Sequence, residues 1–201
     1  MLNIIKKAII PFSFLLCTVV SYVRAQTFTD PRDNHVYKTI KVGNQTWMAE
    51  NLAYLPKINS PYEGSDEEAQ IKPFFYVYGY FGNDIEVAKK EKKYGTYGVL
   101  YNWVAAKAAC PPGWHLPSDA EWKTLEKNLG MDASDLDKMM FRNSGDVGYK
   151  LKSKNIWRKP GQDVVQFNAL PGGFRFAPNS AVNNKGDFGY LGEEGFFWSA
   201  T

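Results

Sequence analysis

Residues 100–122 read LYNWVAAKAACPPGWHLPSDAEW. Leu100 to Ala109 is rich in alanine and other good helix formers, so it predicts a helix. The helix stops at Cys110-Pro111-Pro112-Gly113, because proline has no N–H to continue the ladder and its ring clashes with the preceding turn. Trp114-His115-Leu116 is short and reads as extended. Ser118-Asp119-Ala120-Glu121 is a capping box: the serine hydroxyl accepts from the N–H three residues on, and the glutamate reaches back. Beyond it Trp122, Leu125 and Leu129 share one helical face, and Gly130 closes the helix.

Strand signals lie on both sides. Upstream, Val36–Val42 and Gln45–Met48 are extended runs joined by Gly43-Asn44, a dipeptide that closes a two-residue hairpin. Residues 56–72 carry Pro, Gly and polar residues without a period and read as a surface loop. The aromatic run Phe74–Phe81 reads as one strand. Downstream, a third short helix is expected over Ser134–Phe141. The short apolar runs 164–167, 173–176, 188–191 and 196–199 read as strands between Gly, Pro and Asn punctuation. Helices early and strands late predict an α+β fold, with two to three short helices on a loop-rich, mainly antiparallel sheet.

The length of 201 residues suits one domain. A hydrophobic fraction of 44% with 22% charged residues excludes a disordered chain. The surplus of three positive charges belongs to residues 1–25, MLNIIKKAIIPFSFLLCTVVSYVRA. Lys6 and Lys7, the apolar run Ala8–Val20 and Val23-Arg24-Ala25 form the layout of a signal peptide cleaved after Ala25, rather than an uncleaved anchor. Leu16 before Cys17 does not fit a lipidation signal. Cleavage removes three of the 24 basic residues and none of the 21 acids, leaving a neutral domain, 26–201, without a basic stripe for nucleic acid. The stretch Glu86–Lys93 alternates in sign and reads as a solvated helical or loop surface. The chain is expected to be secreted or held at the cell surface, with no membrane span after cleavage.

No nucleophile elbow of the Gly-x-Ser-x-Gly type occurs, and two histidines, His35 and His115, cannot build a multi-histidine zinc site. Cys110 and His115 sit five residues apart, which raises an activated thiolate as an option. An exported chain favours a disulfide or buried cysteine instead. As the one cysteine left after cleavage, Cys110 has a missing partner, an intermolecular bridge or a buried free thiol. Asn183 to Asp187 is a candidate cation loop, but the same residues serve turns, so no metal and no cofactor is assigned. Paired carboxylates stay open, because their pairing is spatial.

The blocks Tyr37–Leu52, Tyr97–Trp103, Cys110–Trp122, Leu151–Ser153, Ala169–Arg175 and Phe197–Ser199, in that order and spacing, resemble the Fibrobacter succinogenes major paralogous domain. That family of exported proteins is abundant in Fibrobacter and Bacteroidetes. The resemblance covers about residues 30–201 and implies a C-type-lectin-like superfold, shared with formylglycine-generating enzymes. It implies that Cys110 pairs with a cysteine in a closing strand beyond Thr201, so the chain is expected to be truncated there. A formylglycine-generating activity would need a second cysteine for copper. The lectin calcium motifs are not matched by Ala177-Pro178-Asn179 or Trp198-Ser199-Ala200.

Aromatic residues make up 15% of the chain, enough to supply both a core and a sugar-stacking surface. Trp47, Trp103, Trp114, Trp122 and Trp198 lie within the recurring blocks and are expected in the core. Trp157, with Tyr76, Tyr78 and Tyr80 on alternating strand positions, are the expected surface ligand residues. The expected function is a non-catalytic binding or adhesion domain for polysaccharide or surface proteins, glycan favoured. The alternatives are an enzyme on the same superfold and a fimbria-like component that interacts through a sheet edge.

Overall fold

The computed structural model describes residues 26–139, 142–178 and 186–201. The leader with Cys17, the end of the expected third helix at Met140 and Phe141, and Asn183–Lys185 of the candidate cation loop lie outside them. The class is α+β: among the described residues there are seven short α-helices and three small antiparallel sheets. No helix among the described residues is long and apolar enough to cross a membrane.

The first sheet is β1 (Gln26–Thr29), β2 (Val36–Val42) and β3 (Gln45–Met48), in that order. Val42 pairs with Gln45 and Thr39 with Met48, so Gly43-Asn44 is the two-residue turn. Gly43 sits at φ +59°, and a Cβ there would meet Asn128 Nδ2 at 2.6 Å. The positive φ favours glycine there, and a larger residue would also displace the Asn128 side chain. Ile40, Val42 and Trp47 of the hairpin pack on Leu125, Met131, Val147 and Phe167 as one core cluster.

The second sheet pairs β4 (Phe75–Tyr76) with β5 (Leu100–Tyr101). The eight-residue aromatic strand expected over 74–81 is thus two residues long. Tyr80 N–H donates to the Val77 carbonyl, and Gly79 sits at φ +73°, which turns the chain out of line. Phe75 and Val77 pack with Leu55, Ala88, Val99 and Ala105 in a second cluster.

Helix α1 (Asp66–Ala69) lies in the stretch 56–72 expected to be a loop, and α2 (Ile85–Ala88) and α3 (Lys92–Tyr97) take up the charge-alternating stretch read as a solvated helical or loop surface. Ser65 and Glu68 form a capping box on α1, the same signal that marks the longer helix. Helix α4 is Trp103–Ala109; Leu100 and Tyr101 belong to β5 because Asn102 caps the helix after them. The Asn102 Oδ1 accepts from Ala105 N–H and Phe74 N–H, and its amide donates to the Ala69 and Lys72 carbonyls. One side chain therefore ties α1, β4 and α4 together.

Helix α5 is Asp119–Asn128, with the expected capping box in place. Helix α6 is only Ala133–Leu136, shorter than expected, and α7 is Val147–Leu151. The third sheet pairs β6 (Phe174–Arg175) with β7 (Phe188–Gly189). The runs 164–167 and 196–199 form no strand. Around the first, Asp163, Gln166 and Asn168 all take positive φ, and at β7 Tyr190 does the same, which breaks the pleat.

Candidate functional site

Two concavities meet near Trp198. The larger is a cleft of about 820 Å³ between β3, β5, β6 and the start of α5. Its walls are mainly aromatic and aliphatic, including Trp47, Trp114, Trp122, Phe167 and Phe197. The smaller is a groove of about 450 Å³ formed by Asp66, Ala69, Gln70, Asn102, Trp103 and Trp198.

The groove is built by a strap, Trp198–Thr201, laid across the starts of α4 and α5. Trp198 Nε1 donates to the Tyr101 carbonyl at 2.7 Å, and Trp103 Nε1 donates to the Ser199 carbonyl at 2.9 Å. Trp122 Nε1 donates to the Trp198 carbonyl at 3.3 Å. Ala200 N–H donates to the Pro117 carbonyl at 2.9 Å, and Asp119 N–H to Thr201 Oγ1 at 3.0 Å. The indole N–H groups are used internally, so what Trp103 and Trp198 offer to a ligand is ring surface. They are 39% and 48% exposed. Lys107 Nζ lies 3.9 Å from the Trp103 ring centre and supports it as a cation–π partner. Asp66 and Gln70, four residues apart around α1, bring a carboxylate and an amide to the opposite wall.

The residues expected to bind ligand are placed otherwise. Tyr76 is 4% exposed; its hydroxyl donates to the Glu63 carbonyl and the Arg175 guanidinium covers its ring at 4.4 Å. Trp157 is 9% exposed, with its N–H on the Ala169 carbonyl at 2.7 Å. Both were expected on the surface and both are buried, Tyr76 within the lining of the cleft. Tyr78 is half-buried against Phe188 with Lys93 over its ring, and Tyr80 is half-buried with its hydroxyl bonded to the main chain of Asp84. The three tyrosines do not share one strand face, because the strand ends at Tyr76.

Trp103 and Trp198 were both expected in the core; of the five block tryptophans only Trp47 is buried outright. A sequence signal for Trp103 existed. Helix α4 buries Ala105, Ala106 and Ala109, a stripe that leaves position 103 off its face. No such signal exists for Trp198, which lies in irregular chain.

Two groups at the cleft, Glu121 and Cys110, are held by their surroundings in one charge state. Glu121 accepts from Ser118 N–H at 2.8 Å, from Ser118 Oγ at 2.9 Å, and pairs with His115 Nε2 at 2.7 Å. The cap and then the histidine hold its carboxyl down to about 2, so it is an anion and a poor general acid. Cys110 Sγ faces the Ala106 carbonyl at 3.7 Å, and burial pushes its thiol up. His115 is turned to Glu121 rather than to Cys110, and Cys110 is a free thiol. Among the described residues no group of three or more His, Cys, Asp or Glu could hold a metal ion.

A family model described as the Fibrobacter succinogenes major domain matches residues 40–201, most of the chain. No curated protein and no solved structure matches the chain.

Proposed function

The chain belongs to the Fibrobacter succinogenes major domain family, and from that premise we propose that it is an exported, non-catalytic surface domain that binds glycan in the Trp103–Trp198 groove. The observation that carries the reading is the pair of half-exposed indoles whose own N–H groups hold them to the main chain. An aromatic face carries negative charge density, which attracts the polarised C–H face of a pyranose ring. Rings already fixed lose little conformational entropy when a sugar stacks on them. Asp66 and Gln70 supply acceptor and donor atoms for hydroxyl groups, the usual complement of a few polar groups in an apolar site.

The non-catalytic part rests on the fixed charge states of Glu121 and Cys110 and on the turn of His115 away from the thiol. The exported part rests on the layout of residues 1–25. A glycan array probed with the purified protein tests the ligand class. Retention on neutral polysaccharides, lost when Trp103 and Trp198 are both replaced by alanine, is the expected result. Uniform failure to bind across the array overturns the reading. Mass spectrometry of the protein from the native cell tests export, with Gln26 expected as the first residue.

A further inference from the structure

Strand β1 begins at the residue that removal of the leader would free. The layout of residues 1–25 places the cut between Ala25 and Gln26, and Gln26 is the first residue of β1. Asp30 N–H donates to the His35 carbonyl at 2.8 Å, and the register runs from Thr29 opposite Val36 to Gln26 opposite Thr39. Hydrogen-bonded pairs alternate along an antiparallel ladder, so they are Asp30 with His35, Phe28 with Tyr37 and Gln26 with Thr39. The Phe28 ring centre lies 5.3 Å from that of Trp114, which holds the strand on the body of the domain. Gln26 is exposed, and among the described residues its carboxamide has no hydrogen-bond partner.

We propose that Gln26 is a modification site: once the leader is cut, its α-amino group closes on its own side chain, and the mature chain begins with pyroglutamate at the head of β1. The inference rests on the export reading given above. A free α-amino group titrates near about 7.7–8.0, so a neutral fraction exists at neutral pH. Its lone pair attacks Cδ of the carboxamide. The N–Cδ bond forms, the Cδ–Nε2 bond breaks, and Nε2 leaves as ammonia with a proton taken from the amine. No oxidant, reductant or second substrate takes part. Both reacting groups belong to one residue and close a five-membered ring, so proximity favours the step.

The ladder decides what the product does to the fold. Cδ on the nitrogen takes the direction in which a strand N–H points, as in proline, so the cyclised residue no longer donates to the Thr39 carbonyl. Such a residue is tolerated at the first position of a strand. Gln26 holds that position, and among the described residues β1 pairs with β2 alone. The carbonyl of residue 26 still accepts from Thr39 N–H, and the Phe28–Tyr37 pair is untouched. The chain end becomes an uncharged lactam that an aminopeptidase cannot engage, at a place where an exported chain is otherwise open to trimming.

The test is intact-mass and N-terminal analysis of the protein recovered from its native cell. The expected result is a chain that starts at residue 26 and is lighter by one ammonia than the open form. It should be silent in Edman degradation until pyroglutamyl aminopeptidase is added, after which the sequence reads from Thr27. Gln26→Asn cannot close a five-membered ring, so it should start at residue 26 with a free amine and no loss of ammonia. An aminopeptidase should trim it at least tenfold faster than the native form. Amide exchange of Thr39 should be slow in both forms, because that N–H donates to the carbonyl of residue 26. A native chain that starts at Gln26 with its ammonia retained overturns the modification and leaves the export reading standing. A chain that keeps its leader, or starts elsewhere, overturns the cut after Ala25 and the modification with it. Equal trimming of the two forms overturns the protection, and fast Thr39 exchange in the native form alone overturns the place of the cyclised residue in β1.

Discussion

The indole N–H of Trp198 donates to the main-chain carbonyl of Tyr101, 97 positions earlier, at 2.7 Å. The bond fixes the strap and turns the ring of Trp198 to the groove. Replacing Trp198 or Trp103 by alanine should each weaken glycan binding at least tenfold by titration calorimetry. Trp198→Phe keeps an aromatic face and loses the donor. It should retain part of the binding and cost about 1 kcal/mol of stability in urea unfolding, the net worth of one hydrogen bond.

Trp157 behaves in the opposite way. It is buried, its N–H is on the Ala169 carbonyl, and Lys152 Nζ lies 4.5 Å from its ring centre. Trp157→Ala should destabilise the fold by about 3–5 kcal/mol, the range for deleting a large core aromatic. The fraction that remains folded should bind glycan normally. Weakened binding at full folded population would return Trp157 to the site.

Glu121 gives the fold an acid limb. Its carboxyl titrates near 2 in the folded chain against the ordinary 4.5. A depressed carboxyl stabilises the folded state fully above about 4.5 and loses that contribution as pH falls towards 2. Glu121→Gln should flatten the stability profile across that window and lower stability by a constant amount above it. Ser118→Ala removes the cap of α5 and should cost about 1 kcal/mol at neutral pH.

Cys110 tests the absence of an activated nucleophile. Burial raises its thiol, with Arg32 opposing only weakly. The thiolate is the reactive form, so alkylation by iodoacetamide at pH 7.4 should run slower than for free cysteine. Faster alkylation, abolished by His115→Ala, would restore the Cys–His pair as a candidate active site.

Elements whose cause lies within a few residues were legible in the sequence. The hairpin register follows from Gly43-Asn44, the start of α5 from Ser118 and Glu121, and the end of α4 from Pro111. The capping box at Ser65 and Glu68 was equally local, and its serine sits within a loop whose polar character masked the helix. Strand lengths were not legible. Apolar runs at 74–81 and 164–167 have the right composition, but their backbones turn at Gly79 and at Asp163, Gln166 and Asn168. Those last three residues are left-handed within a local turn, in which Gln166 N–H donates to the Asp163 carbonyl and Asn168 N–H to Asp163 Oδ1.

The sequence by itself determined the α+β class, the family, the hairpin, the two principal helix boundaries and a layout that reads as a leader. Only the tertiary structure decided which aromatics are available. Trp157 and Tyr76 are closed off by Ala169 and Arg175, while Trp103 and Trp198 stay half open because Ser199 and Tyr101 hold only their edges. The physical reason is range. Propensity, capping and turn chemistry act over three or four residues, whereas burial of a ring depends on partners as far as 99 positions away, as between Tyr76 and Arg175, which no local pattern encodes.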